Sequence, residues 1–186
     1  MVMKKIFALL TTCILGLSLS YGQLYSTSNG QITFYSNAPL ENIEATNKQV
    51  SCAIDLSKGQ MAFSMLMNAF QFEKALMQEH FNERYVESHK YPKATFAGNI
   101  KDIENIDLSK AGSYDVTVSG KLTIHGINQA VSSKGMLKVS DDKTLTAIST
   151  FTINLEDYKV KIPTMYIDNI SESIQIKVNV KLKPKS

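Results

Sequence analysis

From Ser113 to His125 the chain alternates polar and apolar residues without a break: Tyr114, Val116, Val118, Gly120, Leu122 and Ile124 stand on one side, with Ser113, Asp115, Thr117, Ser119, Lys121, Thr123 and His125 between them. A period of two belongs to a strand with one buried face and one wet face. Ile174, Ile176, Val178, Val180 and Leu182 repeat the pattern against Ser173, Gln175, Lys177, Asn179, Lys181 and Lys183. On a helix these apolar residues would spread around the whole circumference, so neither segment is helical.

Alternation bounded by turn residues predicts strands near 31–37, 43–56, 60–67, 93–104, 112–125, 127–139, 143–155 and 172–183. Ser57-Lys58-Gly59 and Asp141-Asp142-Lys143 are short polar turns of the kind that join antiparallel neighbours, and Gly126 marks another tight connection. Between residues 73 and 86, Leu76, Met77, His80, Phe81 and Tyr85 are instead spaced at three and four, which predicts one helix with a single apolar stripe ending before Tyr91-Pro92. The expected fold is therefore all-β, an up-and-down antiparallel barrel of about eight strands with one helical insertion.

Several positions on the apolar sides hold small residues: Gly98, Gly120, Ser133, Gly135, Ala147 and Ser149. A barrel of eight strands is just wide enough to be filled by its own side chains or to hold one small ligand. Small inward residues favour the hollow version, although glycines also serve as kinks that let strands coil. Around the helix, Met61, Met65, Met67 and Met77 stand with Phe63, Phe70, Phe72 and Phe81. Methionine conforms to irregular apolar surfaces, which suits either an ordinary core or a flexible lipid tail. The predicted lining is Met65, Met67, Phe70, Phe72, Met77, Phe81, Phe96, Gly98, Val118, Gly120, Leu122, Gly135, Ala147, Phe151 and Ile176, with Tyr158, Lys159, His125 and Asn154 as polar residues at the mouth.

Lys4 and Lys5 precede an apolar stretch from Ile6 to Leu19, and Ser20 and Gly22 are small, so residues 1–22 read as a signal peptide and 23–186 as one domain. The stretch is short for a membrane span of about 20 residues. Cys13 lies inside it and not at a cleavage point, which argues against a lipid anchor. Export to the periplasm or the medium is expected, with no transmembrane anchor. Of the 20 Lys and Arg residues two belong to the leader, leaving 18 against 17 Asp and Glu, so nothing suggests nucleic acid. Cys52 is the one cysteine outside the leader and forms no disulfide within the chain.

The three histidines, His80, His89 and His125, lack the spacing of a helical metal motif, and no metal or other cofactor is expected. Cys52 sits on the apolar face of a strand with Val50, Ile54 and Leu56, where a thiol is usually inert. Glu83 and Glu87, one helical turn apart, read as a solvated face, and no nucleophile elbow or phosphate loop is present.

At His80-Phe81, at Glu87-Ser88-His89-Lys90-Tyr91-Pro92-Lys93-Ala94-Thr95-Phe96, at Gly120-Lys121-Leu122-Thr123-Ile124-His125-Gly126 and at Asp157-Tyr158-Lys159-Val160, the chain resembles the YceI-like family of exported, lipocalin-like, polyisoprenoid-binding proteins. The resemblance implies a lipocalin-like barrel whose interior binds an isoprenoid, quinone-like or fatty-acyl amphiphile and performs no chemistry on it. Two other readings stay open: an enzyme using the cavity with His80 or His125 as general base, and a ligand-free structural or interaction module. A homodimer is compatible with the sequence, but no exposed stripe marks its interface.

Overall fold

In the computed structural model, which describes residues 24–101 and 103–185, the strands are β1 (Leu24–Asn37), β2 (Asn42–Asp55), β3 (Gln60–Leu66), β4 (Gln71–Phe72), β5 (Lys93–Ile100), β6 (Gly112–Ile124), β7 (Ile127–Val139), β8 (Leu145–Asn154) and β9 (Ser173–Pro184). All strand pairs are antiparallel. The eight long strands neighbour one another in chain order and β9 returns to β1, closing a barrel, while β4 adds two residues alongside β2. Closure leaves β1 with a strand partner on each side, so it is not a free edge. The proposed leader, residues 1–22, lies outside the described residues.

The strand predicted over 93–104 stops at Ile100, and Ile103–Asn105 forms a 3-10 turn. The helix predicted over 73–86 is only α1 (Ala75–His80), followed by a π-helical turn over Phe81–Tyr85. Leu76, expected on the buried stripe, is 60% exposed. Phe81 and Tyr85, at four and eight residues from Met77, meet the barrel core, while Leu76, next to Met77 on the helix, turns outwards.

The two ends of the barrel differ. Near the β2–β3 and β7–β8 turns, Val50, Ile54, Val139, Leu145, Val180 and Leu182 are almost wholly buried and fill the interior. Burying each such side chain is worth about 1.5–3 kcal/mol, so this end anchors the fold. Towards the β1–β2 and β6–β7 turns the same alternation continues, but the interior is hollow.

Candidate functional site

The hollow end is a cavity of about 360 Å³. Its wall follows from the strand period: Ile32, Phe34 and Ser36 of β1, Met61, Phe63 and Met65 of β3, and Ile174, Ile176 and Val178 of β9 are alternate residues that all face inwards. The volume lies within the ordinary range of small-molecule sites, about 300–1,000 Å³. Packing side chains into such space normally adds dispersion contacts, so a barrel built only for strength would have filled it.

Four phenylalanines cover part of the hollow end. Phe34 of β1 stacks on Phe81 of the π turn with ring centroids 5.5 Å apart, and lies 5.3 Å from Phe70 and 5.7 Å from Phe72. Phe72 and Phe81 are 5.1 Å apart. Met67 and Met77 complete this side of the lining. Rings at such spacings attract through their edges and faces, and the Phe72 N–H of β4 donates to the Gln78 side-chain oxygen of the helix at 3.3 Å, so both hold the short helix on the barrel.

Polar residues join the lining only at the rim, apart from the serines of the wall. Glu41, His80, Tyr85, Tyr166 and Asn169 stand there, partly exposed. The Lys74 ammonium reaches the Glu41 carboxylate at 2.8 Å, and the Leu40 N–H donates to the Asp168 carbonyl at 2.9 Å. These two contacts tie the helix, the β1–β2 turn and the 164–170 segment into one collar. The ionised partner holds the Lys74 pKa above its ordinary value, chiefly by accepting its hydrogen bond.

Met65, Met67, Phe70, Phe72, Met77, Phe81, Phe96, Val118, Leu122, Gly135, Ala147, Phe151, Tyr158 and Ile176 all stand on the cavity wall. Gly98, Gly120 and His125 do not. Gly98 and Gly120 face one another across β5 and β6, and a methyl group at Gly98 would come within 2.5 Å of the Phe96 ring. Their smallness makes room for that ring, which lies over them and itself forms the wall. Tyr158 is only 2% exposed; burial, with a smaller contribution from Asp157, pushes its hydroxyl up to about 12. Asn154 and Lys159 are exposed and off the wall. The rim residues Glu41, Tyr166 and Asn169 escaped the sequence reading because they sit in connections with no periodicity.

His125 fastens the rim from outside the cavity. With Gly126 it forms the two-residue β6–β7 turn, both residues having positive φ, 53° and 72°, as the twist of a tight hairpin requires. Glycine is needed at the second position, since a methyl group there would also meet the Tyr91 ring at 2.7 Å. His125 Nδ1 lies 3.1 Å from the Tyr158 carbonyl oxygen, which can only accept. Its Nε2 lies 2.7 Å from Glu87 Oε2. The two contacts thus place an oxygen acceptor against each ring nitrogen. The Glu87 carboxyl is accordingly held below its ordinary 4.5, first by the hydrogen bond from His125, with further help from Lys90 and His89.

Among the described residues, no three His, Cys, Asp or Glu side chains gather as a metal site would require. Cys52 lies in the filled end of the barrel, where burial pushes its thiol up to about 12; the thiolate that a nucleophile needs is suppressed. His80 is the one histidine on the cavity wall.

Similar architecture occurs in solved structures. A polyisoprenoid binding domain from Saccharophagus degradans superposes with a TM-score of 0.74 at 14% identity, covering 88% of this chain and 99% of that one. BcnA from Burkholderia cenocepacia gives 0.68 at 20% identity, covering 83% and 96%, and the YceI protein of Campylobacter jejuni 0.60 at 17%, covering 75% and 84%. Comparison with curated protein sequences gives no significant match. At these identities the structural likeness speaks for the fold. The family model of the YceI-like domain matches residues 25–182, nearly the whole barrel, and the chain belongs to the YceI-like family.

Proposed function

We propose that this protein binds and carries a long-chain amphiphile, an isoprenoid, an isoprenoid quinone or a fatty-acyl compound, with the tail inside the barrel and no chemistry performed on it. The observation that carries this reading is the apolar cavity of about 360 Å³, walled by aliphatic, methionine and phenylalanine side chains and meeting a polar collar at the rim. Each methylene moved from water into such a lining contributes about 0.8 kcal/mol. A chain of several isoprene units therefore gains ample affinity without specific contacts. Glu41, His80, Tyr166 and Asn169 are placed to meet a headgroup. The polyisoprenoid binding domain of similar fold supports an isoprenoid as the first choice.

A catalytic use of the cavity is disfavoured at His125 and Cys52, which leaves His80, on the cavity wall, as the one remaining candidate base. His125 has both ring nitrogens engaged and stands off the wall. Cys52 is buried away from the hollow end with its thiol protonated. Read as a leader, residues 1–22 support a periplasmic or secreted location, and no described helix is long and apolar enough to cross a membrane.

Native mass spectrometry of protein purified from the exported fraction, followed by solvent extraction, tests the proposal. A reproducible co-purifying amphiphile at one per chain is expected. Protein that emerges empty and takes up neither isoprenoid nor fatty-acyl probes would refute it. N-terminal sequencing of the same sample checks cleavage near Gln23.

A further inference from the structure

The barrel wall is not continuous around the cavity. β6 and β7 pair along their full length, from Ile124 opposite Ile127 to Gly112 opposite Val139. β8 and β9 pair equally fully, from Leu145 opposite Leu182 to Asn154 opposite Ser173. Between them, β7 and β8 pair only from Gly135–Ser149 to Val139–Leu145. Beyond that point Ile127–Lys134 and Thr150–Asn154 have no strand partner on the facing side, and the two strands diverge. A fully closed barrel would satisfy these peptide groups by pairing.

The gap has defined borders. At its base the Ser133 and Ser149 hydroxyl oxygens stand 2.7 Å apart, and each lies within 3.0 Å of the Lys134 carbonyl oxygen. At its top the Gln129 side-chain amide donates to the Asp157 carbonyl at 2.6 Å. Val131 and Phe151, on the two sides, belong to the cavity wall and are only partly buried.

Apolar residues also stand on the outer face just below this gap. Leu137 and Ala147 are inward and buried, so their chain neighbours Met136 and Ile148 belong to the outer face. Both of these outer residues nevertheless line the cavity, and both are partly exposed. Together they make an apolar step on the outside of the barrel next to the opening.

We propose that the gap between β7 and β8 is a lateral portal through which the distal part of a long tail leaves the interior and lies over Met136 and Ile148. This rests on the reading of the cavity as a tail site, and it extends that reading to chains longer than the hollow end can enclose. Short chains end inside the barrel. Longer ones continue outwards, so the length of the barrel sets no upper limit on the tail.

The test uses the full processed protein carrying Ile148→Cys, labelled with an environment-sensitive fluorophore, and a parallel sample labelled at Lys121→Cys on the outer face of β6. Cys52 is buried and stays unlabelled. Each sample is titrated with isoprenoid alcohols of increasing length while native mass spectrometry counts bound molecules. Short alcohols are expected to load one per chain without moving either emission maximum; long ones shift the label at 148 to the blue and leave the label at 121 unchanged. If long alcohols load at one per chain and the label at 148 does not respond, the portal is refuted while the carrier stands. If no alcohol loads, the carrier reading fails and the portal with it.

Discussion

Gly98 stands directly opposite Gly120 in the β5–β6 register, and the Phe96 ring lies across both. A methyl group at Gly120 would meet the Gly98 Cα at 2.6 Å and the Phe96 ring at 2.7 Å, besides the Ala97 carbonyl oxygen. Backbone on one side and a wall-forming ring on the other leave little to yield. Gly120→Ala is expected to lower stability by about 1–3 kcal/mol, the usual cost of overpacking, and Gly120→Leu by more. Urea denaturation checks this, and combining Gly120→Ala with Phe96→Leu should lose less than the sum of the single changes. A Gly120→Leu protein with unaltered stability would restore these glycines to the cavity.

Ala147 gives the opposite sign. It lines the cavity, so Ala147→Leu places methylenes in empty space instead of against backbone. Filling a cavity commonly adds about 0.5–2 kcal/mol. The variant is expected to melt higher than the parent when empty and to bind isoprenoid probes at least tenfold more weakly. The parent, saturated at 100 times its Kd, gains about 2.7 kcal/mol from ligand, and a variant that binds tenfold more weakly should lose about half of that gain at the same probe concentration. Thermal melts with and without probe measure both effects.

The difference between these two sites shows where sequence stops speaking. Inward direction was legible at Gly120 and Ala147 alike, because alternation reports which side of a strand is dry. What fills the inner side depends on register, and nothing within 112–124 says that Gly98 lies opposite Gly120. The divergence of β7 from β8 is hidden for the same reason, since both strands keep their alternation where pairing ends. β4, two residues long, is too short to carry a period. The rim residues Glu41, Tyr166 and Asn169 lie in turns whose positions are set by contacts such as Leu40 with Asp168. The methionine and phenylalanine lining was visible because those residues cluster in sequence around one short helix.

The His125–Glu87 pair predicts a particular acid response. Glu87 is held below 4.5 in the folded protein, and an unfolded glutamate titrates near 4.3. A depressed carboxyl stabilises the fold fully above the unfolded value, and that contribution fades as pH falls through the folded one. Glu87→Gln should therefore be less stable than the parent at neutral pH, with the difference shrinking towards zero at low pH. Urea midpoints measured for both proteins from pH 7 down to the acid limb test this. A difference that does not change with pH would mean that the pair contributes shape alone.

Cys52 provides a readout of the filled end of the barrel. Its thiol is raised from 9.0 to about 12 by burial, so the folded state favours the protonated form. That contribution is complete below the unfolded value and is lost as pH climbs from about 9 towards about 12. Tyr158, raised from 10.0 to about 12, adds to the same alkaline loss from the hollow end. Stability is expected to decline above pH 9, and less steeply in Cys52→Ala once its own lower baseline is subtracted. At pH 8 the native protein should resist a thiol reagent that modifies the urea-unfolded chain within minutes. Ligand should slow the residual labelling by the factor that its added stability corresponds to, because only global unfolding exposes Cys52. Rapid modification of the native protein at pH 8 would show that this end of the barrel opens without global unfolding.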